Sequence, residues 1–114
     1  MDGWSLVYYV ATSGNIPVKE YINSQSPREK ACVFDALSLL RENGISLKLP
    51  YAKPIKGRLW ELRALGEFEH RIFYFAYTGR QFVLLHAFTK KTQKAPTKET
   101  ALATKRMKEY LKGR

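Results

Sequence analysis

The sequence has little of what would staple, metallate or embed a small protein. It holds one cysteine, Cys32, in 114 residues, so no internal disulfide can form. Cys32 falls among apolar neighbours in a helix-like segment, where a buried hydrophobe is the better reading than a nucleophile. Histidines number two, and no cluster of Cys, His and carboxylates has metal-ligand spacing. Neither GxxxxGK[ST] nor GxGxxG occurs, so no phosphate-cradling loop is legible and no cofactor is expected. No apolar run approaches the roughly 18 residues that span a bilayer. The start, MDGWSLVYYVATSG, lacks a basic segment before its short apolar run and does not read as a signal peptide. A cytoplasmic protein is expected.

Acidic residues are scarce in one part only. Residues 1–50 carry five Lys/Arg against five Asp/Glu, whereas residues 51–114 carry fifteen against five. The whole net charge of +10 therefore sits in the C-terminal part. Such asymmetry suits a polyanion, because neutralised phosphates release counterions. Solubility alone is the rival explanation, strongest for the Lys-rich last helix. Apolar content of 45% and aromatic content of 13% exclude a disordered chain, and the length fits one domain over 1–114.

Trp4 to Val10 is rich in β-branched and aromatic residues and reads as a strand. Asn15 is a plausible cap for a short helix with Pro17 in its first turn and Val18, Tyr21 and Ile22 on one face. Ser26 and Glu29 form a capping box with Pro27 at the first helical position. Val33, Leu37 and Leu40 make the stripe of that longer helix, which Asn43-Gly44 ends. Residues 45–54 read as a connector with two prolines.

Strands follow at 59–64, 68–77 and 81–88, joined by links short enough to force antiparallel neighbours. A basic loop, 89–96, leads to a helix from Thr97 to about Leu111, striped by Ala103, Met107, Tyr110 and Leu111. The order β-α-α-β-β-β-α indicates an α+β domain: an antiparallel sheet packed against an N-terminal helix hairpin, with a C-terminal helix.

Residues 56–94 concentrate the candidate chemistry. Trp60 and Leu62 share one strand face, so burying them leaves Arg63 outward with Glu61. His70, Ile72 and Tyr74 alternate with Arg71, Phe73 and Phe75, and the phasing stays open. Phe82, Leu84, His86 and Phe88 share a face against Val83, Leu85 and Ala87; His86 can lie on either side. Metal-free RNA cleavage needs a base for the ribose 2′-OH, cations for the phosphorane and an acid for the leaving oxygen. Imidazole, guanidinium and lysine supply these roles, and Phe73, Tyr74 or Tyr77 can stack bases. Each residue has a plainer reading. Arg63 can bridge Glu61 or Glu69, His86 can be a core histidine, His70 an exposed strand residue, and Lys53 and Lys56 loop solubility. Their concentration in one 39-residue segment favours function.

The segments GRLWELRALGEFEHRIFYF and FVLLHAFTKKTQKAP resemble the RelE/ParE toxin superfamily, most of all its phage-derived HigB-like branch. The likeness extends over nearly the whole chain, including the element order. It implies the toxin of a type II toxin–antitoxin pair, a ribosome-dependent mRNA endonuclease silenced by a partner antitoxin that is often a helix-turn-helix protein. DNA would be met only through that antitoxin, and no membrane is involved. The family's basic catalytic surface would fall on Arg63, Arg71 and His86, with Lys56, Arg58, Lys90, Lys91 and Lys94 holding RNA. Elsewhere in the superfamily the catalytic groups lie nearer the C-terminus; here a helix follows the basic loop. The second reading is a ParE-like gyrase inhibitor, against which the histidine and the lysine-rich loop argue weakly because a gyrase binder needs no proton-transfer groups; the third is a noncatalytic RNA-binding module that uses the same cations for affinity.

Overall fold

Two features of the sheet differ from the sequence expectation, and both bear on the site. A computed structural model describes residues 3–113. Strand β1 (Ser5–Tyr8) is followed by helices α1 (Pro17–Asn23) and α2 (Pro27–Asn43) and a single 3-10 turn, Gly44–Ser46. Then come β2 (Ala52–Lys56), β3 (Leu59–Leu65), β4 (Glu69–Tyr77), β5 (Gln81–Thr89) and helix α3 (Thr97–Gly113). The sheet order is β1-β5-β4-β3-β2.

The first difference is an additional strand, so the order is β-α-α-β-β-β-β-α. Pro54 hides β2 in the sequence, but β2 is an edge strand, where a missing N–H need not break a ladder. The second is that the sheet is mixed rather than antiparallel. Strands β2 to β5 are antiparallel neighbours, whereas β1 pairs parallel with β5, Ser5 opposite Gln81 and Tyr8 opposite Leu84. The helix pair carries the chain from one sheet edge to the other between β1 and β2, which frees β1 from the antiparallel rule of short links.

Both sheet faces are covered. Val18, Ile22, Val33, Leu37 and Leu40 of α1 and α2 pack on Leu62, Ile72, Tyr74, Phe82 and Leu84. On the other face, Ala103 and Tyr110 of α3 pack with Leu59, Phe73, Phe75, Val83 and Leu85. Strands β4 and β5 lie between neighbours and between layers, which explains their near-continuous apolar runs. Among the described residues no helix is long and apolar enough to cross a membrane.

Local rules hold at α2. Ser26 Oγ accepts the Glu29 amide, Pro27 starts the helix, and the Gly44 amide donates to Leu40 O at its end. Gly44 has φ +58°, and a Cβ there would run into the Trp4 indole, so the position needs glycine twice over. At α1 the cap position is Ile16, not Asn15; its amide donates to Glu20 Oε2 at 3.0 Å.

Candidate functional site

A register shift in β5 decides which side His86 faces. Phe73 pairs with His86, yet the next residue of β4, Tyr74, pairs with Leu84. This bulge turns Leu85 and His86 toward the same layer. Phe82, Leu84 and Ala87 therefore face the helix pair, while Val83, Leu85, His86 and Phe88 face α3. Simple alternation, which puts His86 with Leu84, fails at this point.

The α3 side of the sheet then carries two adjacent rows. One runs Lys53, Glu61, Phe73, His86; the other Arg63, Arg71, Phe88. Strand spacing and rise place Arg63 and His86 with Cα atoms about 12 Å apart. The structure thus brings Arg63, Arg71 and His86 onto one face. Lys90 continues β5, its amide donating to Glu69 O at 2.8 Å, and Lys91 and Lys94 follow on the exposed loop.

The arginines are not bare cations. Glu61 is 1% exposed, and its Oε1 accepts from Arg63 Nε at 3.3 Å and Arg71 Nη1 at 3.0 Å. Arg71 Nη2 also donates to Glu69 Oε2. Two guanidinium groups and two carboxylates cancel in formal charge. Arg63 keeps about a quarter of its side chain exposed (24%), while Arg71 keeps 8%. Arg63 is thus the one positioned to reach a ligand, with Arg71 behind it.

His86 is held from α3. Nε2 lies 2.5 Å from Glu99 Oε1, and Nδ1 lies 3.2 Å from Arg106 Nη1. A guanidinium can only donate, so Nδ1 accepts and the proton resides on Nε2, given to Glu99. The imidazole is therefore neutral. Burial lowers its pKa most; the Glu99 bond works the other way, and the Arg106 charge lowers it again. Arg106 also donates to Leu85 O, and the His86 ring stacks on Phe88 with centroids 5.7 Å apart. Glu99 and Arg106 were not legible as site residues, because only the packing of α3 brings them to β5.

The description "Phage derived protein Gp49-like (DUF891)" matches residues 20–108, from α1 through most of α3. The chain belongs to this family. It is a family associated with RelE-like toxins. No curated protein matches the chain. The matched stretch of this Gp49-like protein includes all the residues of the two rows, the lysine loop, Glu99 and Arg106.

Several expected members of the site lie elsewhere. Arg58 sits in the β2–β3 turn, about 17 Å along the strand from Arg63. It donates to Ala76 O, lies over the Phe75 ring and borders an apolar hollow of about 220 Å³ with Trp60, Tyr74 and Phe82, away from the arginine row. Lys56 is exposed at the end of β2, facing α3 rather than the arginines. Phe73 and Tyr74 are buried in opposite cores and cannot stack bases; Phe88 and Tyr77 remain partly exposed. Among the described residues no three His, Cys, Asp or Glu side chains converge as metal ligands.

His70 is fully buried on the helix side rather than exposed. Its Nε2 donates to Glu29 Oε1 at 2.7 Å, and Nδ1 bonds the Tyr21 hydroxyl at 2.6 Å, which in turn bonds Thr89 Oγ1. Glu29 also accepts the amides of Glu67 and Phe68. Its carboxylate thus leaves the expected capping box to pin the β3–β4 turn, where Gly66 leaves room that a Cβ would take within 2.5 Å of Oε1. The bond from His70 is the main cause that lowers the Glu29 pKa. A carboxyl with a lowered folded-state pKa contributes stability that is present above its unfolded pKa and lost as pH falls through the folded value. Melting curves between pH 6 and pH 3 should therefore show an acid limb that is flattened in Glu29→Gln. An unchanged limb in that variant would assign the acid sensitivity to other groups.

Proposed function

We propose that this protein is the toxin of a type II toxin–antitoxin pair and cleaves mRNA without a metal ion, most effectively at the ribosome. The supporting observation is the sheet register, which puts Arg63, Arg71 and His86 on one face beside the lysine loop. The 2′-OH of the substrate is the nucleophile, so the protein has only to position it, move two protons and stabilise the phosphorane. Arg63 reaches a phosphate oxygen through its outer nitrogens, while Arg71, fixed by Glu61 and Glu69, adds field from behind. His86, neutral in the resting structure, accepts the 2′-OH proton once Nδ1 leaves Arg106, and solvent water protonates the 5′-oxygen as its bond to phosphorus breaks. Lys90, Lys91 and Lys94 draw the RNA in. A cognate antitoxin, of the helix-turn-helix kind, silences the protein.

Cleavage in a translation extract, read by mapping 5′ ends, tests this reading. The protein should cut translated mRNA, and a chelator selective for transition metals, which leaves ribosomal magnesium in place, should not prevent it. Arg63→Ala should lower the rate at least 100-fold while the fold persists with at most a modest fall in melting temperature, because Glu61 keeps Arg71 as a partner when Arg63 is removed. Intact transcripts together with an induced DNA-damage response would instead identify a gyrase inhibitor. The engagement of both His86 nitrogens favours one alternative, a noncatalytic RNA binder. Binding without cleavage in the presence of ribosomes would identify it.

A further inference from the structure

The charge that attracts a polyanion does not come from the arginine row. Arg63 and Arg71 are neutralised by Glu61 and Glu69, and Arg106 donates to His86 and Leu85 beside Glu99. Among the described residues no lysine takes part in an ion pair; the partners are arginines and histidines. The unpaired cations among the described residues are therefore the lysines together with Arg28, Arg41, Arg58, Arg80 and Arg106, and where they gather is where phosphates can be held.

One groove brings three of the lysines together. Lys56 at the end of β2 faces Lys105 and Lys108 of α3 across a cleft of about 580 Å³, floored by Thr100, Ala101 and Thr104. Residues 97, 101, 104, 105 and 108 recur at helical spacing, so they form one side of α3, flanking the buried side of Ala103 and Tyr110. Small side chains keep the floor low, and no acidic residue lines the cleft. The hydroxyls of Thr97 and Thr100 add donors that a backbone oxygen can use, whereas Thr104 Oγ1 already donates to Thr100 O. Thr97 stands at the mouth, where the basic loop carrying Lys94 enters α3. The cleft thus continues the lysine loop along the helix.

We propose that this groove binds the phosphodiester backbone of single-stranded RNA, with Lys56, Lys105 and Lys108 as its phosphate contacts. The assignment rests on the reading of the protein as RNA-directed. It adds a track outside the cleaving face and gives α3 a role beyond covering His86. The backbone is held without base recognition, since lysine reads charge rather than sequence.

The test uses a labelled 12-nucleotide U-rich RNA with 2′-O-methyl groups, which removes the nucleophile and isolates binding from cleavage. The triple variant Lys56→Ala/Lys105→Ala/Lys108→Ala should bind about 30–100-fold more weakly than the unmodified protein at 0.1 M salt, and its salt slope should be smaller by about 2. The charge-matched control Lys19→Ala/Lys30→Ala/Lys48→Ala, on the helix-pair side, should change affinity less than 3-fold. Equal losses in both variants would mean net charge alone and overturn the groove. So would a triple variant that binds like the unmodified protein, while leaving the cleavage reading standing. No binding by the unmodified protein would also overturn the groove; the translation-extract assay judges the cleavage reading separately.

Discussion

Glu61→Ala is expected to destabilise the fold by about 3–5 kcal/mol, a fall of roughly 10–20 °C in melting temperature. The carboxylate is essentially inaccessible and accepts from both arginines of the candidate site. Without it, Arg71 keeps one partner, Glu69, whose side chain is 40% exposed and so weakened by solvent. A guanidinium that is 8% exposed would then be left largely uncompensated. Among the described residues Arg71 Nε already has no hydrogen-bond partner, so the group has no reserve. The double variant Glu61→Leu/Arg71→Met should recover most of the loss, because a buried ion pair replaced by apolar side chains is often neutral. If Glu61→Ala alone costs less than about 1 kcal/mol, the pair behaves as a surface bridge and Arg71 is solvated. The recovered double variant should be stable and fail to cleave, which separates the energetic role of the pair from its chemical one.

Much of the scaffold was legible because it follows local rules. Alternation, short links and capping located α2, β3, β4, β5 and α3 to within a few residues. What escaped depends on distant pairing. Strand β2 was read as connector because Pro50 and Pro54 look like breakers, and only its edge position makes Pro54 tolerable. The parallel pairing of β1 with β5 joins residues about 75 positions apart, with no local signal. At the site, Arg63 was placed correctly because Trp60 and Leu62 demand the other face. His86 could not be, because one bulge residue reverses the alternation on which the reading depends. The charge excess was visible, but its neutralisation at the arginines was not; it requires the register that sets Arg71 beside Arg63 and Glu61.

His86→Ala is expected to lower cleavage about 100–1000-fold, the usual contribution of a positioned proton-transfer group. The more telling result lies in the pH profile. Burial, the largest influence, lowers the imidazole pKa, and the base form is the active one under the proposed mechanism. Activity should therefore hold at neutral pH and fall only when pH drops below the folded value, which lies under the ordinary imidazole pKa of about 6.5. The Glu99 bond raises that value, so Glu99→Gln should move the acid limb to lower pH. The Arg106 charge lowers it, so Arg106→Ala should move the limb to higher pH, while also freeing Nδ1 to accept a proton. The two variants shift the limb in opposite directions, a pattern that loss of packing at α3 would not produce. A structural His86 would leave the limb of the residual activity where it was in both. If the limb follows neither substitution, proton transfer belongs to another group on this face, and His86 serves to dock α3 on β5.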